Sequence, residues 1–576
     1  MSKKKSFSSR NRLLAIFFIF LIVLIVIIGR LSYIAIAQGD WLRLLAEKQW
    51  TDKTLIKPVR GQIVDRNYNQ LVTNENDYRI DIDLKTLKQS IKTKKLTMDD
   101  VESKLSGIIG MNIESIDKII KTSDSYKVLE RGISNDQKNK VEKLGINGII
   151  ISPDTKRYYV NGSFLSQVLG YTDSDGKGVS GVELSYDKIL TGTPGLNISQ
   201  VDSKRSDLPY QQSVYTKPVD GKDLALTIDA NLQLFVEKEA EKALKNNNAK
   251  SVTITVMNPK NGEILAMTNK SAKSSNSANN LNDKWYNKAI QGTFEPGSIF
   301  KAITSEIALE TKTSDENQYF LCNDSITING TKIYNWDKAS HGMLSFVDIL
   351  KTSNNVGFAQ LGLKIGKENL YSYINKFGFG SKTGIDLPGE ASGIVKDVKS
   401  VGNVDLSNTA FGQGIATTQI QYMTAFNAIA NGGMWIRPHI MSEVGHMDKD
   451  NKFIEDSKFN DFSKKRIMDE NMTKNLRGYL EKVVSDGVGK NAYIKGYDIA
   501  GKTGTAQKAN PDGGGYEPGK YVSSFAGMAP YEDPKVTLIV SIDEPDSSNY
   551  YASQTSAPVA KELFDEIYNH TDFMNK

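Results

Sequence analysis

Residues 13–28 read LLAIFFIFLIVLIVII, a run with no charge and no hydrogen-bonding side chain. With Gly29 it would cross about 26 Å of hydrocarbon as a helix, and nothing else in the chain constrains the fold as strongly. Lys3, Lys4, Lys5, Arg10 and Arg12 precede it, so the positive-inside bias leaves a tail, 1–12, in the cytoplasm and exports the rest. A transmembrane anchor is therefore expected over 13–37. A cleaved signal peptide is the competing reading, with AIAQ at 35–38 as the cleavage region. The run exceeds the usual apolar region of about 7–15 residues, and Arg30 interrupts the approach to that site. A buried core helix fits worse, because the basic flank and unbroken apolarity suit lipid.

The length of 576 residues corresponds to about three or four domain-sized units. Lys and Arg total 72 against 67 Asp and Glu, a net charge of +5, which leaves no electrostatic footprint for nucleic acid. Cys322 is the only cysteine, so no intramolecular disulfide forms.

Beyond the anchor, YRIDIDL alternates as a half-buried strand does. TMDDVESKLSGIIG and SNDQKNKVEKLG place Thr97 and Ser134 as caps before helical spacings that close on glycine. A glycine-rich, turn-dense stretch covers 166–205, and KPVDGKDLALTID starts a new strand near 222. These changes put a domain boundary near 215, separating 38–215 from 216–576. The second segment opens with a helix, ANLQLFVEKEAEKALKNN, and then two strands joined at Lys260-Asn261-Gly262. It closes with two strands in YVSSFAGMAPYEDPKVTLIVSIDEP and a helix in SAPVAKELFDEIYNH. Such an order indicates an α/β sheet carrying an inserted, mostly helical subdomain.

In FEPGSIFKAI, Ser298 stands three residues before Lys301, after a Pro-Gly turn signal. Positions three apart share a helix face, so the Lys301 amine would lie beside the Ser298 hydroxyl. The amine acts as a base only when neutral, a state favoured by burial and by a second cation nearby. Free N–H groups at the helix start could stabilise an oxyanion. Taken alone, Ser298 reads more readily as a plain helix cap. Two further stretches change this: KTSNNVGF supplies Ser353 and Asn355 after a helix, and IAGKTGTAQK supplies Lys502, Thr503, Gly504 and Thr505. Gly504 would let a substrate backbone approach a strand closely, Lys502 offers a cation for a carboxylate, and the threonines offer hydroxyls. Serine-x-x-lysine, Ser-x-Asn and Lys-Thr-Gly in this order form the signature of β-lactamases and penicillin-binding proteins.

The chain resembles the class B penicillin-binding proteins over nearly its whole length. GRLSYIAIAQGDWLRLLAEKQW, RGQIVDRNYNQLVTNE, VLGYT, GVELSYDKILTGTPG, LTIDANLQ, FGFGSKTGIDLPGE and FGQGIATTQIQYMTAFNAIANGG follow the family's order. The resemblance implies a transpeptidase fold, a central antiparallel sheet flanked by helices plus a mostly helical subdomain. It also implies a mixed α+β pedestal before that domain. The implied reaction is D,D-transpeptidation of peptidoglycan stem peptides ending in D-Ala-D-Ala, with β-lactams acylating the same serine and no cofactor required. Carried across, Ser298 is the nucleophile, Lys301 the general base, and Ser353 the proton relay. Asn355 and Lys502 complete the catalytic group, Thr503 and Thr505 bind the substrate carboxylate, and the N–H groups of Ser298 and Thr505 form the oxyanion hole. A polytopic glycan polymerase is the implied membrane partner. Alternatives are a D,D-carboxypeptidase or β-lactamase, with water as acceptor, and a β-lactam-binding sensor or scaffold.

The middle motif reads Ser-Asn-Asn, an allowed filling of Ser-x-Asn, and Asn258 stands where many relatives carry Asp. No glycosyltransferase region is expected before the pedestal, and no C-terminal repeats are expected after the transpeptidase segment. Separately, Cys322, Asp337 and His341 fall within 20 residues, and all three side-chain types ligate zinc. A structural zinc there stands beside a plainer reading, in which Cys322 is a small buried hydrophobe and His341-Gly342 a turn.

Overall fold

The computed structural model describes residues 9–122, 126–200, 214–272, 285–460, 463–510 and 513–574. Lys3, Lys4 and Lys5 of the basic flank lie outside the described residues, as does 201–213 beside the expected boundary. The chain divides into two compact units: Met1–Val59 with Gly192–Gly221, and Arg60–Thr191 with Lys222–Lys576.

In the first unit an α-helix, Ser9–Ser32, continues into a π-helical turn, Tyr33–Ala37. The span Arg10–Ala37 is long and apolar enough to cross a membrane and is unburied by protein. Over 13–29 it is apolar on all sides and has no polar face to offer water. A helix, Gly39–Trp50, follows, and antiparallel strands Thr51–Ile56, Gly195–Gln200 and Val214–Thr216 form a sheet with Gly195–Gln200 at its centre.

The second unit contains a seven-stranded sheet that draws on both sides of residue 215. Its order is Phe453–Lys458, Met441–Met447, Asp223–Leu226, Ile63–Val64, Gln70–Asp83 and Tyr126–Ile133, with Ile149–Tyr159 also paired to Gln70–Asp83. Helices Met98–Ile109 and Asn135–Leu144 begin in the expected capping boxes, Thr97 with Asp100 and Ser134 with Gln137, and end at Gly110 and Gly145. Val101 and Leu105 pack with Leu87, Ile80 and Ile82 into the core beneath this part of the sheet.

Buried charge ties the segment together. Glu183 is fully buried, and its Oε2 accepts from Arg60 Nε at 2.8 Å while its Oε1 accepts from Arg157 Nε at 2.6 Å. Arg60 Nη1 also donates to Asp187 and to Thr191 Oγ1, at 2.8 and 2.7 Å. The RGQIVDRN and GVELSYD stretches are thus two halves of one ion-pair cluster.

The rest of the unit is built on α1 (Ala230–Asn246), β1 (Ser251–Met257), β2 (Ile264–Ser271), α2 (Lys301–Glu310), α3 (Asn355–Ile365), α4 (Gln419–Ala430), β3 (Ala500–Ala509), β4 (Tyr516–Ala529), β5 (Val536–Asp543) and α5 (Ser556–His570). The sheet order is β2-β1-β5-β4-β3, antiparallel throughout, with β3 at one edge. Leu232 and Val236 of α1 and Leu563 and Phe564 of α5 pack on Val252, Ile254 and Val540. Ile303 and Ile307 of α2 and Met423 and Phe426 of α4 share a second core with Met257, Met528 and Ile539. Every residue of β1 and β5 is buried, as strands are when helices cover both faces of a sheet.

The expected subdomain is less helical than its sequence suggested. Between α2 and α3, Tyr319–Cys322 pairs with Gly342–Ser345, and Ser325–Ile328 with Thr331–Tyr334. Strands of four residues are too short for a distinctive alternation.

Removing one partner of a buried ion pair strands the other charge, at a cost of about 3–5 kcal/mol. Glu183→Ala takes the carboxylate partner from Arg157 and leaves Arg60 with Asp187 only, and is expected to lower the melting temperature of the purified protein by several degrees. Surface substitution Lys121→Ala, which removes only an exposed pair with Asp117, is expected to leave the melting temperature unchanged.

Candidate active site

The Pro-Gly turn delivers Ser298 in a short 3-10 helix, Gly297–Phe300, that runs directly into α2. Neither helix start has a side-chain cap, and the Ser298 hydroxyl makes no hydrogen bond among the described residues. The capping alternative is thereby removed.

Lys301, at the first position of α2, is fully buried. Its Nζ donates to Ser353 O at 2.7 Å and to Asn355 Oδ1 at 2.8 Å, and lies 3.2 Å from Ser353 Oγ. Helical spacing foretold a Ser298 contact; the amine instead turns toward the Ser353 segment, whose carbonyl and amide oxygens are stronger acceptors in a dry site. Ser353 follows the helix Phe346–Lys351 and has a left-handed backbone, φ +57°. A non-glycine residue in that region stores about 1–3 kcal/mol of strain, held here by the helices on either side. Lys502 comes in from edge strand β3, fully buried, and donates to Ser353 Oγ at 2.9 Å and to Thr503 O at 3.0 Å.

Two amines therefore converge on one hydroxyl. Burial, and then the nearby Lys502, hold the Lys301 amine well below the usual lysine range. Burial alone brings Lys502 down to about 7. Both shifts favour the neutral amine, so Lys301 is better able to take a proton than an ordinary lysine, while Lys502 titrates close to neutrality.

Alternation along β3 places Lys502, Gly504 and Ala506 on one face. A Cβ at Gly504 would lie 2.7 Å from Ile299 N and 3.0 Å from Pro296 O. The close approach that requires this glycine is that of the nucleophile turn, where the sequence suggested a substrate backbone. Thr503 is buried, and the Thr505 hydroxyl accepts the Ala552 N–H at 3.0 Å. The neighbouring Tyr551 meets Trp336 edge-on at 5.8 Å, and the Trp336 Nε1–H donates to Thr352 O at 3.2 Å. These rings link the Thr505 side of the groove to the Ser353 side.

Some supporting residues carry no sequence signal. Asn335 donates to Asn323 O and Ala339 O and accepts the Val356 N–H at 3.1 Å, which fixes the start of α3. Asn355 Nδ2 donates to Tyr334 O at 3.0 Å. Apart from the Asn335–Ala339 bond, which spans four residues, each joins positions that only the folded chain brings together.

Cys322, Asp337 and His341 do not assemble as a zinc ligand set. Cys322 lies in the core, burial pushes its thiol up to about 11, and a Cβ on Gly357 would sit 3.3 Å from its sulfur. His341 Nε2 and Asp337 Oδ2 pair with each other at 2.9 Å. Among the described residues no group of three or more metal-competent side chains occurs. A thiol kept protonated in an apolar setting is a poor zinc ligand.

Fold and site together define a serine acyltransferase built on Ser-x-x-Lys, Ser-x-Asn and Lys-Thr-Gly. Residues 252–565 match the penicillin binding protein transpeptidase domain, and 55–226 match the penicillin-binding protein dimerisation domain. The Bacillus subtilis stage V sporulation protein D is 34% identical over 557 residues, spanning 96% of this chain and 84% of that one. The Escherichia coli peptidoglycan D,D-transpeptidase FtsI is 28% identical, covering 94% and 88%. Penicillin binding protein 3 of Mycobacterium tuberculosis, solved in complex with aztreonam, superposes with a TM-score of 0.66 at 25% identity, covering 89% and 96%. This chain belongs to the penicillin-binding protein transpeptidase family.

Gly504→Ala forces its methyl into the Ile299 and Pro296 backbone, displacing the turn that carries Ser298. Misplacement of reacting atoms by about 1 Å costs on the order of 100-fold in rate. The variant is expected to lose about that factor in penicillin acylation, measured by stopped-flow fluorescence.

Proposed function

We propose that this chain is a peptidoglycan D,D-transpeptidase working by two-step acyl transfer through Ser298. The observation that carries this reading is the pair of buried amines on the Ser353 hydroxyl, one of which, Lys301, stands three residues along the helical turn from the unbonded Ser298. Ser298 Oγ attacks the carbonyl of the penultimate D-Ala in a stem peptide ending in D-Ala-D-Ala, and neutral Lys301 takes its proton. Ser353, between Lys301 and Lys502, passes a proton to the departing amine of the terminal D-alanine. N–H groups of Ser298 and Thr505 face the developing oxyanion. Asn355 binds the stem backbone, and Lys502, Thr503 and Thr505 receive the terminal carboxylate. An amine on a second stem then attacks the ester, forming the cross-link and freeing Ser298. β-Lactams present a similar carbonyl and carboxylate and acylate the same oxygen.

The named relatives favour an amine acceptor over water, so carboxypeptidase or scaffold readings are not preferred. Ahead of the site, the apolar helix anchors the protein in the membrane with its basic end in the cytoplasm and the catalytic domain outside. By its family, the anchor and pedestal would engage a polytopic glycan polymerase that supplies the nascent strand.

Labelling the detergent-solubilised full chain with a fluorescent penicillin, followed by peptide mass mapping, is expected to place the adduct on Ser298. An adduct elsewhere, or none in a folded preparation, overturns the mechanism.

The acylation rate should also be bell-shaped in pH. It falls on the acid side as Lys301 gains a proton, and on the alkaline side as Lys502 loses its charge through about 7. In Lys502→Met the alkaline limb should vanish. With the neighbouring cation gone, the Lys301 pKa rises and the acid limb should move to higher pH. Rates measured from acid to alkaline buffers check both shifts.

A further inference from the structure

The turn that carries Ser298 is held twice by the same two neighbours. Gly297, at φ +54°, donates its N–H to Gly412 O at 3.0 Å, and a Cβ there would sit 3.0 Å from Ala506 Cβ of β3. Glu295, three residues before Ser298, makes the second set of contacts. Its Oε1 accepts the Gly414 N–H at 3.0 Å, and its Oε2 accepts the Tyr516 O–H at 3.0 Å. Gly414 lies two residues from Gly412 in the same loop. Tyr516 opens β4 and is paired with Ala509, on the strand that also carries Ala506.

We infer that Glu295 is a positioning residue, whose carboxylate ties the nucleophile turn to the Gly412–Gly414 loop and to the outer end of the β3–β4 pair. It thereby sets the placement of Ser298 relative to Lys502–Thr505. No role in the reaction signature explains why a half-buried carboxylate stands there; burial raises its pKa, while the Gly414 and Tyr516 donors lower it. The division of labour predicts a specific kinetic signature. Groups that receive a penicillin's carboxylate are on β3, whereas the attacking oxygen is on the turn. Loosening the tie shifts the turn against the strand, so it slows acylation without weakening the preceding noncovalent complex.

The inference rests on Ser298 being the acylated residue, and its test separates the two. Full-length protein in detergent is reacted with a fluorescent penicillin over a range of concentrations, giving a dissociation constant and a limiting acylation rate. Glu295→Ala is expected to lower the limiting rate about tenfold with the dissociation constant changed by less than about threefold. Glu295→Gln keeps an acceptor for Gly414 and can donate to the Tyr516 oxygen, so it should remain within about threefold of wild type in both quantities. Tyr516→Phe should fall between them and add nothing in the Glu295→Ala background, as expected for residues sharing one contact.

A wild-type limiting rate in Glu295→Ala overturns the inference, as does a loss confined to the dissociation constant. Equal impairment of Glu295→Gln and Glu295→Ala also overturns it, because hydrogen bonding would then not be the operative feature. If Glu295→Ala does not fold, Tyr516→Phe carries the test, and an unchanged limiting rate in that variant overturns the inference. Wild-type protein that takes no label on Ser298 defeats the parent mechanism instead.

Discussion

Two lysine amines around one serine hydroxyl are the constraint on which the rest depends. Lys301 and Lys502 are both fully buried, and both lie within hydrogen-bond distance of Ser353 Oγ. Neither could be held there as an unpaired ammonium without a large desolvation cost. The fold meets that cost by lowering their pKa values and by supplying acceptors: the Ser353 carbonyl, the Asn355 amide and the Thr503 carbonyl. What the proposed mechanism needs, a neutral base beside a hydroxyl relay, is the same condition that makes the burial tolerable.

Sheet architecture explains how distant segments reach this point. β3 lies at an edge, so the backbone groups of alternate residues face the groove instead of another strand. The nucleophile turn packs against that edge because Gly504 and Gly297 have no side chains to keep it away. The Ser353 segment approaches from the opposite wall, anchored by Asn335 and the start of α3. Glu295 then fastens the turn to the loop and strand pair beside it. Each support lies far from its partner in sequence, and each restricts one direction of movement.

Local chemistry was legible wherever one short stretch contained both halves of an interaction. The capping boxes at Thr97 and Ser134, the helices over 230–246 and 556–570, and the buried strands of the central sheet all followed from spacing within a few residues. The four-residue strands at 319–345 were hidden because so short a run has no diagnostic period. Proximity in sequence also misled: Cys322, Asp337 and His341 suggested a metal site, but strand pairing sends the thiol inward, away from the Asp337–His341 pair. The boundary near 215 divides the chain by composition, whereas the seven-stranded sheet joins Ile63–Val64 to Asp223–Leu226 across it.

The sequence by itself determined the reaction chemistry and an apolar helix long enough to cross a membrane. Ser-x-x-Lys, Ser-x-Asn and Lys-Thr-Gly specify functional groups, and an uncharged apolar run specifies its solvent; both are properties of residue type and short spacing. Only the tertiary structure decided that Lys301 bonds Ser353 and Asn355 and not Ser298, that Gly504 serves the nucleophile turn, and that Glu295 reaches Gly414 and Tyr516. Those outcomes depend on which backbone and side-chain groups are brought within about 3 Å after burial, and strand order and helix packing set that from residues 52 to 221 positions apart.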